Sequence, residues 1–450
     1  MSVSADTIVA IATPAGRGGL GVVRLSGPQA LAIGQALTGV AALRPRHAHF
    51  AHFRDAEGAV LDEVVATAFP APRSATAEDV VEITAHGSPV LLAALVAAAQ
   101  ARGARLAEPG EFTRRAFLNG RIDLTQAEAV RDLIDAHTLF QARTAARQMQ
   151  GSVAAALRPL HRRYTELIAR LEAGIDFADD DVTVAADGWI SAEIAAVGAA
   201  VEPLLSSFQR GRTVREGVSV AIVGRPNVGK SSLFNRLLAS ERAIVTAEAG
   251  TTRDLVAEPM DWEGVPVRLV DTAGLRDPKG EAERLGIQKS WEAAADAHLV
   301  LAVFDRSQPL SGDDHALLRQ VRDWPLVLVV ANKCDLPAGA GPEATLPEAA
   351  LPISARTGAG LAELRAAVRQ MVAPDVSEGA EFITNARHAQ HLAAAAAHLQ
   401  HAGAAAQAGL PHEMLLVDLY DGLHELDAIT GQTTVEDILG VIFSTFCIGK

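Results

Sequence analysis

The spacing of apolar positions changes along the chain, and each change predicts a different kind of structure. Short apolar runs at residues 7–11, 20–25 and 80–83, with one run of helical spacing at 89–102, predict a small α+β domain over roughly the first 120 residues. From residue 125 to about 212 the apolar positions recur every three or four residues, as in Ala127, Val130, Leu133, Ile134 and His137, which predicts long amphipathic helices. Between 217 and 372, apolar strands at 218–223, 267–270, 299–304, 326–330 and 351–353 alternate with helical stretches, the pattern of a doubly wound parallel sheet. Residues 385–443 are helical again and dominated by Ala and Leu.

Neither flanking helical block offers a self-contained core, so the two are expected to pack together with the α/β domain inserted between them. The expected architecture is α/β + α: an α+β domain over 1–121, a discontinuous helical domain over 122–214 and 375–450, and an inserted parallel-sheet domain over 215–374. A chain of 450 residues has room for such a set of cores. The acidic stretch at 176–181 reads as a solvated loop.

Composition narrows the chemistry. Although 49% of the residues are apolar, no uninterrupted apolar run approaches the roughly 20 residues of a membrane span. The first residues lack the basic flank and apolar core of a secretory signal, so a cytoplasmic chain without a membrane span is expected. Two cysteines, Cys334 and Cys447, form no disulfide framework and belong to no zinc-spaced cluster. A net charge of −14 argues against a broad nucleic-acid-binding surface, so any RNA contact is expected to be local or shared with a partner.

The chemistry is carried by residues 224–231, Gly-Arg-Pro-Asn-Val-Gly-Lys-Ser, between an apolar strand and a helical stretch. Gly224 and Gly229 let backbone amides curl round a polyphosphate, Lys230 reaches the outer phosphates in a catalytic role, and Ser231 offers a hydroxyl to Mg²⁺. The expected contacts of this loop run over Asn227, Val228, Gly229, Lys230, Ser231 and Ser232. Asn332-Lys333-Cys334-Asp335, closing a later strand, selects guanine, because Asp335 accepts from two donors that adenine lacks. Ser354 and Ala355 add the loop whose amide meets the guanine oxygen, so GTP is the expected nucleotide.

Asp271, Thr272, Ala273 and Gly274 put a carboxylate near the Mg²⁺ shell and an amide near the γ-phosphate. Thr252, in Gly250-Thr251-Thr252, is the expected second hydroxyl on Mg²⁺; an ordinary solvated loop is the alternative there. Leu275 follows the glycine where Ras-like enzymes place a water-orienting glutamine, so another group must serve. Asn227 and the carbonyls of Thr246, Ala247, Glu248, Ala249, Gly250 and Thr251 are placed to hold a monovalent cation in lieu of an arginine finger. Glu283 is the candidate for positioning water, with an ordinary surface glutamate as the alternative.

Taken together with Ala-Thr-Pro-Ala-Gly-Arg-Gly-Gly at 12–19, Pro-Gly-Glu-Phe at 109–112, Asp-Leu-Thr-Gln-Ala-Glu-Ala at 123–129 and the terminal Phe-Cys-Ile-Gly-Lys at 446–450, these residues resemble the tRNA-modification GTPase family MnmE, also called TrmE. The resemblance runs over essentially the whole chain and implies potassium activation, with K⁺ held by Asn227, Thr246, Glu248 and Thr251, and Glu283 as the water-positioning residue. It implies an N-terminal dimerisation domain with a tetrahydrofolate site at Arg24, Glu82, Arg121 and Lys450, and raises Cys447 as a possible catalytic thiol beside a simpler packing role. It further implies a homodimer working with the FAD-dependent MnmG (GidA) on the wobble uridine of certain tRNAs, with methylene-tetrahydrofolate as the one-carbon source. One departure stands out: where the family commonly has Phe-Thr-Gly, this chain has Ala75-Thr76-Ala77. A ribosome-assembly switch and a folate enzyme regulated by GTP are the alternatives.

Overall fold

The computed structural model describes residues 6–176, 187–241, 260–270, 297–339, 346–347, 349–374, 383–432, 442–443, 446–447 and 449. The chain separates into two compact units, one comprising Met1–Arg131, Arg147–Ile194 and Ala397–Lys450, the other Asp132–Ala146 and Ala195–Ala396.

The first unit is built on a six-stranded sheet of β1 (Ile8–Ile11), β2 (Gly18–Ser26), β3 (His49–Arg54), β4 (Val60–Phe69), β5 (Val80–Gly87) and β6 (Arg105–Leu106), in the order β3-β4-β5-β2-β1-β6. Only β1 and β6 run parallel. Alternation puts Val23, Leu25, Phe53, Val64, Ala66, Val81 and Ile83 on the buried face, packed with Ile33 and Leu37 of α1 (Ala30–Thr38) and with Leu92 and Leu95 of α2 (Pro89–Gln100). The helix α2 comes so close that a Cβ at Gly21 would stand 2.5 Å from Leu92. The short helices α3 (Glu111–Leu118) and α4 (Leu124–Ile134) follow. Sequence spacing missed α1, β3 and β4. β3 intersperses its buried Ala51 and Phe53 with His52 and Arg54, and β4 carries Asp62 on its buried face and Val65 on its exposed one, so neither strand shows a clean alternation.

Three helices, α5 (Leu139–Met149), α6 (Ser152–Asp176) and α7 (Asp187–Glu216), lead to the second sheet. Residues 188–216 of α7 are, by length and composition alone, apolar enough to cross a membrane, with a mean hydropathy of 1.3, a property the search for uninterrupted runs overlooked. Core helices of soluble proteins pass the same test, and Ile190, Ile194, Val197 and Val201 are buried.

The second sheet contains β7 (Val218–Val223), β8 (Met260–Trp262), β9 (Val265–Val270), β10 (Leu299–Asp305), β11 (Val327–Asn332) and β12 (Leu351–Pro352), in the order β12-β11-β10-β7-β9-β8. All neighbours are parallel except β8 and β9. Every residue of the central β10 is buried. The helices α8 (Lys230–Glu241), α9 (Gly312–Gln320) and α10 (Leu361–Val372) follow β7, β10 and β12 in sequence; Leu233 and Leu237 of α8 and Leu361, Leu364 and Val368 of α10 share the core beneath the sheet. This is the doubly wound pattern that the apolar runs predict, with β8 as an antiparallel edge they did not reveal.

Two further helices are α11 (Ala386–Gln407) and α12 (His412–Thr430). Within the first unit α6 packs on α12: Tyr164 is fully buried against Gly422, where a Cβ would come 2.0 Å from the Tyr164 hydroxyl. His161 Nε2 and Asp427 Oδ1 lie 2.9 Å apart across the same contact.

Candidate functional site

The strand β7 ends in a loop whose shape depends on close backbone approaches. A Cβ at Gly224 would stand 2.4 Å from the Val303 carbonyl oxygen of β10, and one at Gly229 would stand 2.2 Å from Asn332 Nδ2. Gly229 also has φ +101°, and Asn227 adopts the left-handed region with φ +65°. Neither approach leaves room for a side chain. The Lys230 ammonium donates to the carbonyls of Gly224 and Arg225, each at 2.8 Å, so it lies across the loop's own curve. Ser231 and Ser232 are exposed in the first turn of α8, next to the positive end of the helix dipole.

Asn332, 1% exposed at the end of β11, joins the two halves of the cradle. Its Nδ2 donates to the Val228 carbonyl at 2.8 Å, and its Oδ1 accepts from the Ala355 amide at 3.0 Å. One side-chain amide therefore bonds the glycine loop to the Ser354-Ala355 loop. Asp335 Oδ1 accepts from the buried Ser354 hydroxyl at 2.6 Å, and the Cys334 amide donates to Ile353 at 3.0 Å.

Four residues that sequence reasoning missed, Asp305, Ser307, Ser311 and Asp314, hold this frame. Lys333, in the left-handed region at φ +65°, pairs with Asp305 Oδ2 at 2.6 Å, and Ser307 donates to Asp305 Oδ1 from its amide and hydroxyl. Burial alone would raise the Asp305 pKa, but Lys333 and Ser307 hold it below the usual carboxylate value. Arg225 Nε donates to Asp314 Oδ1 at 2.7 Å, and Asp314 Oδ2 accepts from Ser311, closing a capping box on α9. Asp305 ends a wholly apolar run, and Ser311 precedes Asp314 by the spacing of a capping box; both signals were present in the sequence. Thr246, Ala247, Glu248, Ala249, Gly250, Thr251, Thr252, Asp271, Thr272, Ala273, Gly274, Glu283 and Lys450 lie outside the described residues.

The first unit brings together three of the four expected folate residues. Arg24 of β2 and Glu82 of β5 stand opposite each other in register, and Arg24 pairs with Glu82 Oε1 through Nη2 at 2.8 Å and Nε at 2.9 Å. The Arg24 guanidinium lies 5.7 Å from the centre of the Phe112 ring. Glu82 and Arg121 line a cavity of about 530 Å³ whose apolar wall includes Phe69, Pro72 and Val80. Behind it, the loop 74–78 is braced by Ser26, whose hydroxyl bonds Thr76 at 2.6 Å and Glu78 at 2.7 Å. Ala77 in this loop has φ +62°. Cys447 is exposed; its carbonyl accepts from the Gly110 amide at 3.3 Å, and nearby Gly449 passes so close to Ile11 that a Cβ would stand 2.3 Å from its oxygen.

A parallel sheet whose glycine loop is bonded to an Asn-Lys-x-Asp loop defines the class of guanine-nucleotide-binding P-loop proteins. Residues 7–121 match the family description "GTP-binding protein TrmE N-terminus", and 124–447 match "MnmE helical domain". The tRNA modification GTPase MnmE of Koribacter versatilis is 53% identical over 99% of both chains. Those of Aquifex aeolicus and Xanthomonas campestris are 42% and 44% identical over 99% and 100% of this chain, each over 100% of its own length. The chain belongs to the tRNA modification GTPase MnmE family.

Proposed function

We propose that this GTPase is potassium-activated and works as a cytoplasmic homodimer with the FAD-dependent MnmG, adding an aminomethyl or carboxymethylaminomethyl group at C5 of the wobble uridine (position 34) of certain tRNAs. The one-carbon unit comes from methylene-tetrahydrofolate, and GTP hydrolysis accompanies the meeting of two nucleotide domains. The domains follow the division at 1–121, 122–214, 215–374 and 375–450. The observation that carries the nucleotide half of this reading is the double hydrogen bond of Asn332, which bonds phosphate loop and base loop together as one cradle. Full-length identity to tRNA modification GTPases favours modification over a ribosome-assembly role.

The residues fit the groups the reading requires. Ser231 offers a hydroxyl for Mg²⁺, which stabilises charge developing on the phosphates; Thr252 would supply the second hydroxyl. The exposed Asn227, held with φ +65°, offers a hard oxygen to K⁺, which adds positive charge where the family has no arginine finger; Thr246, Glu248 and Thr251 complete that set. Lys230 binds the outer phosphates on leaving the loop carbonyls, and Glu283 orients water. In the first unit the paired Arg24 and Glu82, with Arg121, offer both donors and acceptors to a pterin, joined by Lys450. Cys447, exposed and free, is available as a thiol and does not fill the packing role also expected of it.

The test is GTP turnover in K⁺ against Na⁺ at equal ionic strength. K⁺ is expected to stimulate, Asn227→Ala to abolish that stimulation, and Glu283→Ala to bind GTP without turning it over. Equal rates in the two salts would remove the cation mechanism.

A further inference from the structure

The cavity that holds Glu82 and Arg121 has a second cationic end to which no role has been given. Arg46 and Arg73 line it along with Glu82, the partner of Arg24. The Arg46 amide donates to the Ala68 carbonyl, which places Arg46 one strand position beyond β4. Moving from β2 through β5 and β4 to this segment crosses three strand spacings, so the Arg24 and Arg46 backbones are about 14 Å apart. Glu82 on β5 lies two of those spacings, about 10 Å, from the Arg46 backbone, so the lining runs across the sheet from Glu82 to Arg46.

The far end is a built corner. Arg46 lies over the Phe69 ring at 5.6 Å and donates to the Arg73 carbonyl, which ties the two arginines together. The loop carrying Arg73 is braced by the Ala71 amide on Asp79 at 2.9 Å and by the Ser74 hydroxyl on Glu78. Charge is distributed unevenly along the cavity. The Glu82 carboxylate is paired with Arg24, and the Asp79 carboxylate faces a backbone amide. Among the described residues no carboxylate pairs with Arg46, Arg73 or Arg121, in a chain whose net charge is −14. The two carboxylates of a monoglutamyl tail match at most two of these three guanidinium groups one to one, and each further γ-linked glutamate adds another anion.

We propose that Arg46 and Arg73 form an anion subsite that takes the additional γ-linked glutamates of a polyglutamylated reduced folate, making the protein selective for long-tailed over monoglutamyl cofactor. This inference rests on the folate reading of the same cavity. Both arginines are exposed, so substituting them leaves the core untouched. Planar guanidinium groups suit the carboxylates of such a tail, and their contribution falls as salt rises.

The experiment is calorimetric titration of the full-length protein with monoglutamyl and triglutamyl 5-formyl-tetrahydrofolate at low and high salt. The wild type is expected to bind the triglutamyl form about ten-fold more tightly at low salt, a margin that shrinks at high salt. The Arg46→Gln/Arg73→Gln double variant should lose that margin and keep its monoglutamyl affinity within about two-fold. Arg24→Gln should weaken both ligands alike and keep the margin. Equal affinities in the wild type, or a margin that survives the double variant, would overturn the subsite while leaving the folate reading in place. Absence of binding by either form would overturn the folate reading and the subsite with it.

Discussion

In the second unit, the groups that shape the nucleotide cradle sit at or just beyond strand ends: Gly224 after β7, Asp305 closing β10, Asn332 closing β11 and Ser354 after β12. In the first unit, the cavity is assembled from residues spread between Arg46 and Arg121, brought together by strand register and by a buried ionic cluster. The first arrangement is closed by amide and carbonyl bonds and tight backbone approaches, with the pairs Lys333–Asp305 and Arg225–Asp314 at its border. The second uses charge: Arg115, 5% exposed, pairs with Asp6 at 2.7 Å, Glu111 at 3.0 Å and Glu78 at 3.3 Å, while Arg105 pairs with Asp6 and Glu111. Burial disfavours the Arg115 charge, but Glu78, Glu111 and Asp6 outweigh it and raise its pKa. A cradle of backbone contacts should therefore fail by steric intrusion and a cavity braced by charge by loss of a partner.

The largest expected effect tests the charged brace. Arg115→Ala leaves the mostly buried Glu78 carboxylate without its cation and Glu111 with Arg105 alone, and should destabilise the first unit by about 3–5 kcal/mol. Urea unfolding followed by hydrogen exchange should show the loss in β1, β2 and α3 with the second sheet unaffected; a uniform shift across both units would contradict the division drawn above. Next comes Gly229→Ala, whose Cβ would displace the Asn332 amide and whose φ of +101° suits only glycine. It should weaken GTP binding about 100-fold, near 3 kcal/mol, with little change in folding. Fluorescent-nucleotide titration reads this directly, and affinity within a factor of about three of wild type would mean the cradle is less rigid than its contacts imply.

The same contrast decides what could be read from the sequence. A glycine loop, its lysine and its following helix are contiguous, so the local pattern carries their geometry, and the apolar runs located five of the six strands around them. The bond from Asn332 to Val228 spans 104 positions; each residue was singled out, but nothing local joins them. Asp305 and Asp314 were missed because their partners, Lys333 and Arg225, lie 28 and 89 positions away. In the first unit only the family resemblance pointed to Arg24, Glu82 and Arg121. The Arg24–Glu82 pair, 58 positions apart, exists because β2 and β5 align in one register, and Arg46 and Arg73 reach the cavity from the segments just before β3 and just after β4, strands that the apolar pattern did not reveal.

Ala77 tests the comparison more finely, since it is a backbone strain inside the unit otherwise held by charge. Its φ of +62° is disfavoured for any residue with a Cβ, and it falls where the family pattern commonly has glycine. Replacing it by glycine relieves the strain but gives the unfolded chain more freedom, and the two effects partly cancel. Ala77→Gly should stabilise the first unit by about 0.5–1 kcal/mol, measured as a rise in its urea midpoint. A destabilised variant would mean that Ser26, Thr76 and Glu78 hold the loop without strain.

The smallest effect concerns His86 and Asp62, a pair on β5 and β4. Asp62 accepts from the His86 backbone amide at 2.9 Å and from its Nδ1 at 2.6 Å. The Asp62 hydrogen bond, aided by the nearby Glu63 charge, raises the His86 pKa above its usual 6.5. For Asp62, burial pushes upward, but the His86 bonds prevail and hold it below 3.8. The raised histidine contributes stability that is complete below pH 6.5 and is lost as pH rises through its folded value; the lowered carboxylate contributes above pH 3.8 and is lost as pH falls through its own. The advantage of wild type over His86→Ala should therefore be greatest between those limits and shrink above neutrality. Because the imidazole is two-thirds exposed, that advantage should be slight and reduced by salt. An NMR titration should find the His86 ring titrating above 6.5 in the wild type and returning toward it in Asp62→Asn, whereas an advantage that grows with pH would reverse the assigned direction.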